Sequence, residues 1–125
     1  MEKKKILIVE DDVTLRGVLK EFLEAENFEI AVASDGEEGL TLIREIKPDM
    51  VLLDIILPKK NGLEVLKEIK ADSECSDIPI VLLTNLGSLS DIENALALGA
   101  TTYLVKGDYQ VKEIVEKIKG ILAIK

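Results

Sequence analysis

Short runs of aliphatic residues alternate five times with longer segments in which apolar positions recur every three or four residues. The runs predict strands at Ile6–Glu10, Glu29–Ala33, Met50–Asp54, Ile80–Thr84 and Tyr103–Lys106. The segments between them have the period of a one-sided helix. Leu15, Val18, Leu19, Phe22 and Leu23 form one stripe; Leu40, Ile43 and Ile46 form the next; Leu63, Leu66 and Ile69 form the third. Ile92, Ala95 and Leu96 mark a fourth helix closed by Gly99, and Val111, Ile114, Val115, Ile118 and Leu122 mark a fifth. Strands that are apolar throughout, not alternating, imply burial of both faces beneath helices. Right-handed crossovers then wind the chain into a five-stranded parallel α/β sheet, for which the order 2-1-3-4-5 is a common solution. No linker or shift in composition divides residues 1–125, so a single domain is expected.

Composition narrows the picture. With 125 residues and 47% hydrophobic content, the chain can bury roughly two-thirds of its unfolded surface. Only 3% of residues are aromatic, so the core must be aliphatic. A formal net charge of −8 argues against direct nucleic-acid binding, which needs clustered Lys and Arg, and suits basic proteins or divalent cations. Lys3-Lys4-Lys5 reads as a solubilising entry to the first strand. The single cysteine, Cys75, excludes an internal disulfide and a cysteine zinc cluster. It stands in the polar stretch Ala71–Asp77 of a chain without histidine, and reads as a bland loop thiol. No apolar run approaches the roughly 20 residues of a membrane span, and the charged N-terminus has no signal-peptide pattern, so no membrane association and a cytoplasmic location are expected.

The candidate chemistry lies where strands end. Glu10-Asp11-Asp12 closes the first apolar run and Asp54 closes the third. In the 2-1-3-4-5 order these strands are neighbours, and ligands of open α/β sheets bind at the carboxyl ends of strands. Crowded carboxylates repel one another unless a cation neutralises them, and an oxygen-only donor set suits Mg²⁺. Taken alone, the acidic triplet reads better as a helix N-terminal run favoured by the helix dipole, with Asp12 as its cap or a surface acid, but with Asp54 across the sheet that reading explains too little.

In order and spacing, the fragments Ile6–Asp12, Val51–Asp54, Leu57–Gly62, Leu82–Thr84, Leu98–Ala100 and Tyr103–Lys106 resemble the receiver domain of two-component response regulators. That resemblance runs nearly end to end and implies the flavodoxin-like (βα)5 fold of chemotaxis regulators. By analogy Asp54 is the phosphoacceptor, attacking phosphorus to form an acyl phosphate. Asp11 and Asp54 hold Mg²⁺ with the backbone carbonyl of Ile56, and Glu10 acts through a metal-bound water. Lys106 offers a fixed positive charge to the phosphoryl oxygens, Thr84 donates its hydroxyl to one of them, and Tyr103 is the aromatic switch that turns inward when Thr84 moves. Pro58, Asn61 and Gly62 are read as supports, Asn61 as a cap and Gly62 for a conformation with positive φ. Two positions depart from the pattern. Gly107 follows Lys106 where proline is usual, so a trans bond is expected there. Asn85 follows Thr84 where a small residue is common, and is expected to lengthen the phosphorylated lifetime.

The resemblance therefore implies a switch that catalyses only its own phosphorylation and dephosphorylation, not a conventional enzyme. A sensor histidine kinase or histidine phosphotransfer protein would supply the phosphoryl group. Modification would alter the face of helix 4, strand 5 and helix 5, near Leu86, Leu89, Ile92 and Tyr103, for an unnamed downstream protein. Some receivers also pair as homodimers through that face when modified. The alternative is a degenerate receiver serving as a phosphate-independent interaction module, against which the retained Glu10, Asp11, Asp54, Thr84 and Lys106 speak. A flavin- or nucleotide-binding role would want a glycine-rich loop after strand 1, and the chain has acids there.

Overall fold

A computed structural model describes residues 3–84, 89–106 and 110–124. The elements run β1 (Lys5–Val9), α1 (Val13–Ala25), β2 (Glu29–Ala33), α2 (Gly36–Ile46), β3 (Met50–Asp54), α3 (Gly62–Ala71), β4 (Ile80–Thr84), α4 (Leu89–Ala97), β5 (Thr102–Val105) and α5 (Val111–Ile124). All four strand pairings are parallel, in the order β2-β1-β3-β4-β5. The predicted fold is borne out, with strand ends displaced by no more than one residue.

Each strand sends alternate side chains to opposite faces. Leu7, Val9, Val51, Leu53, Ile80 and Leu82 meet Leu40, Ile43, Val65, Leu66, Ile69, Ile92 and Ala95 on the side of α2, α3 and α4. Ile6, Ile8, Met50, Leu52, Val81 and Leu83 meet Leu19, Leu23, Ile114, Val115 and Ile118 on the side of α1 and α5. The three central strands are closed over on both faces, whereas the edge strands β2 and β5 are only partly covered. Phe22 and Leu96 belong to their helix stripes by spacing but are exposed, because each stripe is wider than the sheet surface beneath it. Cys75 lies in the α3–β4 loop yet is buried within the α2–α3–α4 core, and that burial raises its thiol above its ordinary value. Polar neighbours in sequence hid this from the pattern. Among the described residues, no helix is long and apolar enough to cross a membrane.

The helix starts are written in the sequence. Asp12 caps α1, its Oδ1 accepting from Thr14 N and Leu15 N at 2.9 and 3.1 Å, as expected of that acid. Asp35 caps α2 through Glu38 N, and Asn61 forms a reciprocal capping box with Glu64 at α3. Gly62 differs from expectation. Its role is close approach, because a Cβ there would stand 2.2 Å from the backbone oxygen of Asp54. Positive φ appears instead at Asn27, Lys47, Lys59 and Gly99, the last closing α4.

Candidate functional site

The acids meet because of register. Val9 pairs with Leu53, so one further step sets Glu10 beside Asp54. Period two then puts Glu10 on the face of Ile6 and Ile8, Asp54 on the face of Met50 and Leu52, and Lys106 on the face of Leu104; all three share the α1–α5 side. Asp11 lies in the loop just beyond β1. One carboxylate oxygen from each of Glu10, Asp11 and Asp54 lies within 4.8 Å of the other two.

Burial is uneven across this cluster. The Glu10 side chain is fully buried, that of Asp54 is 6% exposed and that of Lys106 16%, whereas Asp11 is open to solvent. Lys106 stands just past β5, its N–H donating to the Thr84 carbonyl at 2.6 Å. From there its side chain spans the end of β4. The ammonium lies 2.7 Å from Glu10 Oε1 and donates to Asp54 Oδ2 at 2.9 Å. The second contact has hydrogen-bond geometry; the first is an ion pair at hydrogen-bond distance, so the Lys106 ammonium is the partner of the buried Glu10 Oε1. Glu10 Oε2 accepts from Asp12 N at 3.1 Å, and its backbone oxygen accepts from Arg16 Nη1 at 2.8 Å. Asp54 Oδ1 accepts from Ile56 N at 3.3 Å, while the Ile56 side chain faces solvent.

Electrostatics follow from this packing. Burial raises the Glu10 carboxyl above its usual 4.5 and the Asp54 charge adds to the rise, against the opposing pull of Lys106 and the Asp12 N–H. For Lys106 burial works downward, but hydrogen bonds and attraction to Glu10 and Asp54 outweigh it and hold the ammonium above 10.5. Among the described residues, Glu10 and Asp54 share the Lys106 ammonium, and Asp11 offers a third carboxylate within 4.8 Å of theirs. This oxygen-only donor set, one atom from each acid, fits a divalent ion of the Mg²⁺ class.

Thr84 ends β4 and is buried at the same sheet edge. Tyr103 is 39% exposed, so its ring is turned outward here. Asn85, Leu86 and Gly107 lie outside the described residues. Spacing within single segments did not signal the Lys106 bridge to both acids, because it depends on a side chain crossing a strand.

The chain is a doubly wound α/β domain with an acid cluster at the carboxyl edge of its sheet, and comparison gives its family. The response regulator receiver domain profile matches residues 6–119, and the chain belongs to that family. It is 39% identical over 122 residues to the protein named "Probable transcriptional regulator ycf27" of Cyanophora paradoxa, covering 98% of this chain and 49% of that protein. The chain thus spans about half the length of the curated relatives it matches. Among solved structures, the chemotaxis response regulator CheY4 of Vibrio cholerae aligns with a TM-score of 0.88 at 26% identity, over 96% of this chain and 99% of that one. The Mn²⁺-bound form of response regulator Rcp1 aligns with a TM-score of 0.80 at 31% identity, over 94% of this chain and 91% of that one. Receiver domains of two-component systems are signalling switches and not classical enzymes.

Proposed function

We propose that residues 1–125 form one receiver unit in which Asp54 accepts a phosphoryl group from a histidine kinase or phosphotransfer protein. The observation that carries this reading is the convergence of Glu10, Asp11, Asp54 and Lys106 at one sheet edge, with Asp54 only 4% exposed yet at the strand end where a donor can approach. Asp11 and Asp54 would hold Mg²⁺ together with the Ile56 carbonyl, and Glu10 would hold it through a water. When bound, Mg²⁺ would supply positive charge to offset that of the acids and of the incoming phosphoryl oxygens. The chain's own groups do the rest. Ile56 N–H keeps one Asp54 oxygen turned toward the loop, leaving the other as nucleophile. Attack by that oxygen forms the O–P bond as the phosphorus–nitrogen bond to the donor histidine breaks. Lys106 would shift from the Asp54 carboxylate to a phosphoryl oxygen and keep its charge where negative charge builds. The Thr84 hydroxyl would then donate to another phosphoryl oxygen, with Tyr103 turning inward and the α4–β5–α5 face changing for a downstream protein. Water hydrolysing the acyl phosphate would reset the switch.

Relatives are named as a probable transcriptional regulator and a DNA-binding response regulator, and DNA is a target that such a downstream step would reach. The test is intact-mass measurement after incubation with a small phosphodonor. Wild type gains one phosphoryl group with Mg²⁺ and none in chelator, and Asp54→Asn gains none. A wild type that never gains mass would make the domain a phosphate-independent interaction module instead.

A further inference from the structure

The loop joining β3 to α3 (residues 55–61) carries the Ile56 N–H onto the Asp54 carboxylate. At its centre is a three-residue turn: Lys60 N donates to Pro58 O at 2.7 Å, with Lys59 between them at φ 67. A turn of this hand is strained for any residue but glycine, so its surroundings must hold it. Those surroundings come from the start of α2, far away in sequence. Gly36 N donates to the same Pro58 oxygen at 3.3 Å, so the loop satisfies one of the N–H groups a helix start leaves unpaired. Asp35, the α2 cap, has Oδ2 3.6 Å from Lys59 Nζ. A Cβ on Gly36 would stand 1.7 Å from the Lys60 carbonyl oxygen and 2.6 Å from its carbon, backbone atoms that cannot swing aside. At the other end of the loop, Gly62 sits against the backbone of Asp54 itself, with room too small for a Cβ. The loop is pinched between two contacts that admit only glycine.

We infer that Gly36 is a positioning residue for the divalent-cation site. It touches neither the acids nor the acceptor, but it sets the path of the loop that carries the Ile56 backbone between them. This rests on the reading that the acid cluster binds a divalent ion. Any larger residue at position 36 pushes Lys60 away from α2, opens the turn at Lys59 and rotates the Ile56 peptide relative to Asp54. Groups that directly support ligands commonly change metal affinity by roughly 10–100-fold, and Gly36, acting through Pro58 and Lys60, stands at the low end of that range.

The test measures Mn²⁺ affinity by paramagnetic resonance, and amide exchange at Lys60, in Gly36→Ala. Affinity is expected to fall about tenfold, and the Lys60 amide to exchange faster. Ile118→Val, a loss of packing in the core on the other side of the sheet, is the control; it lowers the melting temperature without moving affinity. Should Gly36→Ala not fold, Asp35→Ala decides. It removes the cap and the Lys59 ion pair, and is expected to lose affinity in the same direction by a smaller factor. A folded Gly36→Ala that binds Mn²⁺ as wild type does, or an Asp35→Ala that does so when Gly36→Ala is unfolded, overturns the inference alone. A wild type that binds no Mn²⁺ overturns the cation site itself.

Discussion

Replacing Lys106 with methionine keeps chain length and apolar stem but removes the one cation that faces both Glu10 and Asp54 in the described structure. Two unit charges 4.8 Å apart, the outer limit of the acid cluster, repel by about 3.5 kcal/mol at an effective dielectric near 20. Removing one partner of a buried ion pair generally costs about 3–5 kcal/mol. Lys106 keeps 16% of its side chain in solvent and Asp11 is open to water, so the low end applies, about 3 kcal/mol. For a domain of this size that is a fall of roughly 12 °C in Tm. Mg²⁺ should reverse much of it. At a hundred times its Kd an ion that binds only the folded state adds about 2.7 kcal/mol. Wild type gains less at equal concentration, because there the ammonium already pairs with the same oxygens and repels the ion. By reciprocity Lys106→Met binds Mg²⁺ more tightly than wild type. The assay is urea unfolding of both proteins in chelator and in millimolar MgCl₂. Equal stability in chelator, or an equal Mg²⁺ increment in both, would refute this account of the cluster.

Two further outcomes follow from the same geometry. The pKa of Lys106 is raised in the folded chain, so its stabilisation is complete below its unfolded value near 10.5 and is lost as pH rises through the higher folded value. The stability difference between wild type and Lys106→Met should therefore shrink above pH 10.5 in chelator, as read by unfolding curves taken across that range. Asp12→Ala removes the α1 cap, which accepts two backbone N–H groups, and should cost about 1 kcal/mol in thermal unfolding. Because Asp12 stands outside the cluster of three acids, phosphoryl uptake measured by mass should persist in that variant.

Much of this was legible along the chain. The five apolar runs fixed the strands to within a residue, and their unbroken hydrophobicity announced helices on both faces, as the two cores bear out. Asp12 could be recognised as a cap by its place before a helical stripe. Local spacing misjudged what depends on the width of a neighbour. Phe22 and Leu96 stay exposed, and Cys75 is buried despite its polar flanks.

Carboxylates at the ends of two strands, and a lysine at the end of a third, were determined by the sequence, since period and burial place strand ends where apolar runs stop. Their meeting was decided only by tertiary structure. The β1–β3 register sets Glu10 and Asp54 side by side, and the reach of Lys106 across β4 ties them with one charge. The hold of α2 on the β3–α3 loop through Gly36 belongs to the same level. Each is a contact between residues distant in the chain, and close approach of backbone to backbone leaves no periodic trace in the residues that make it.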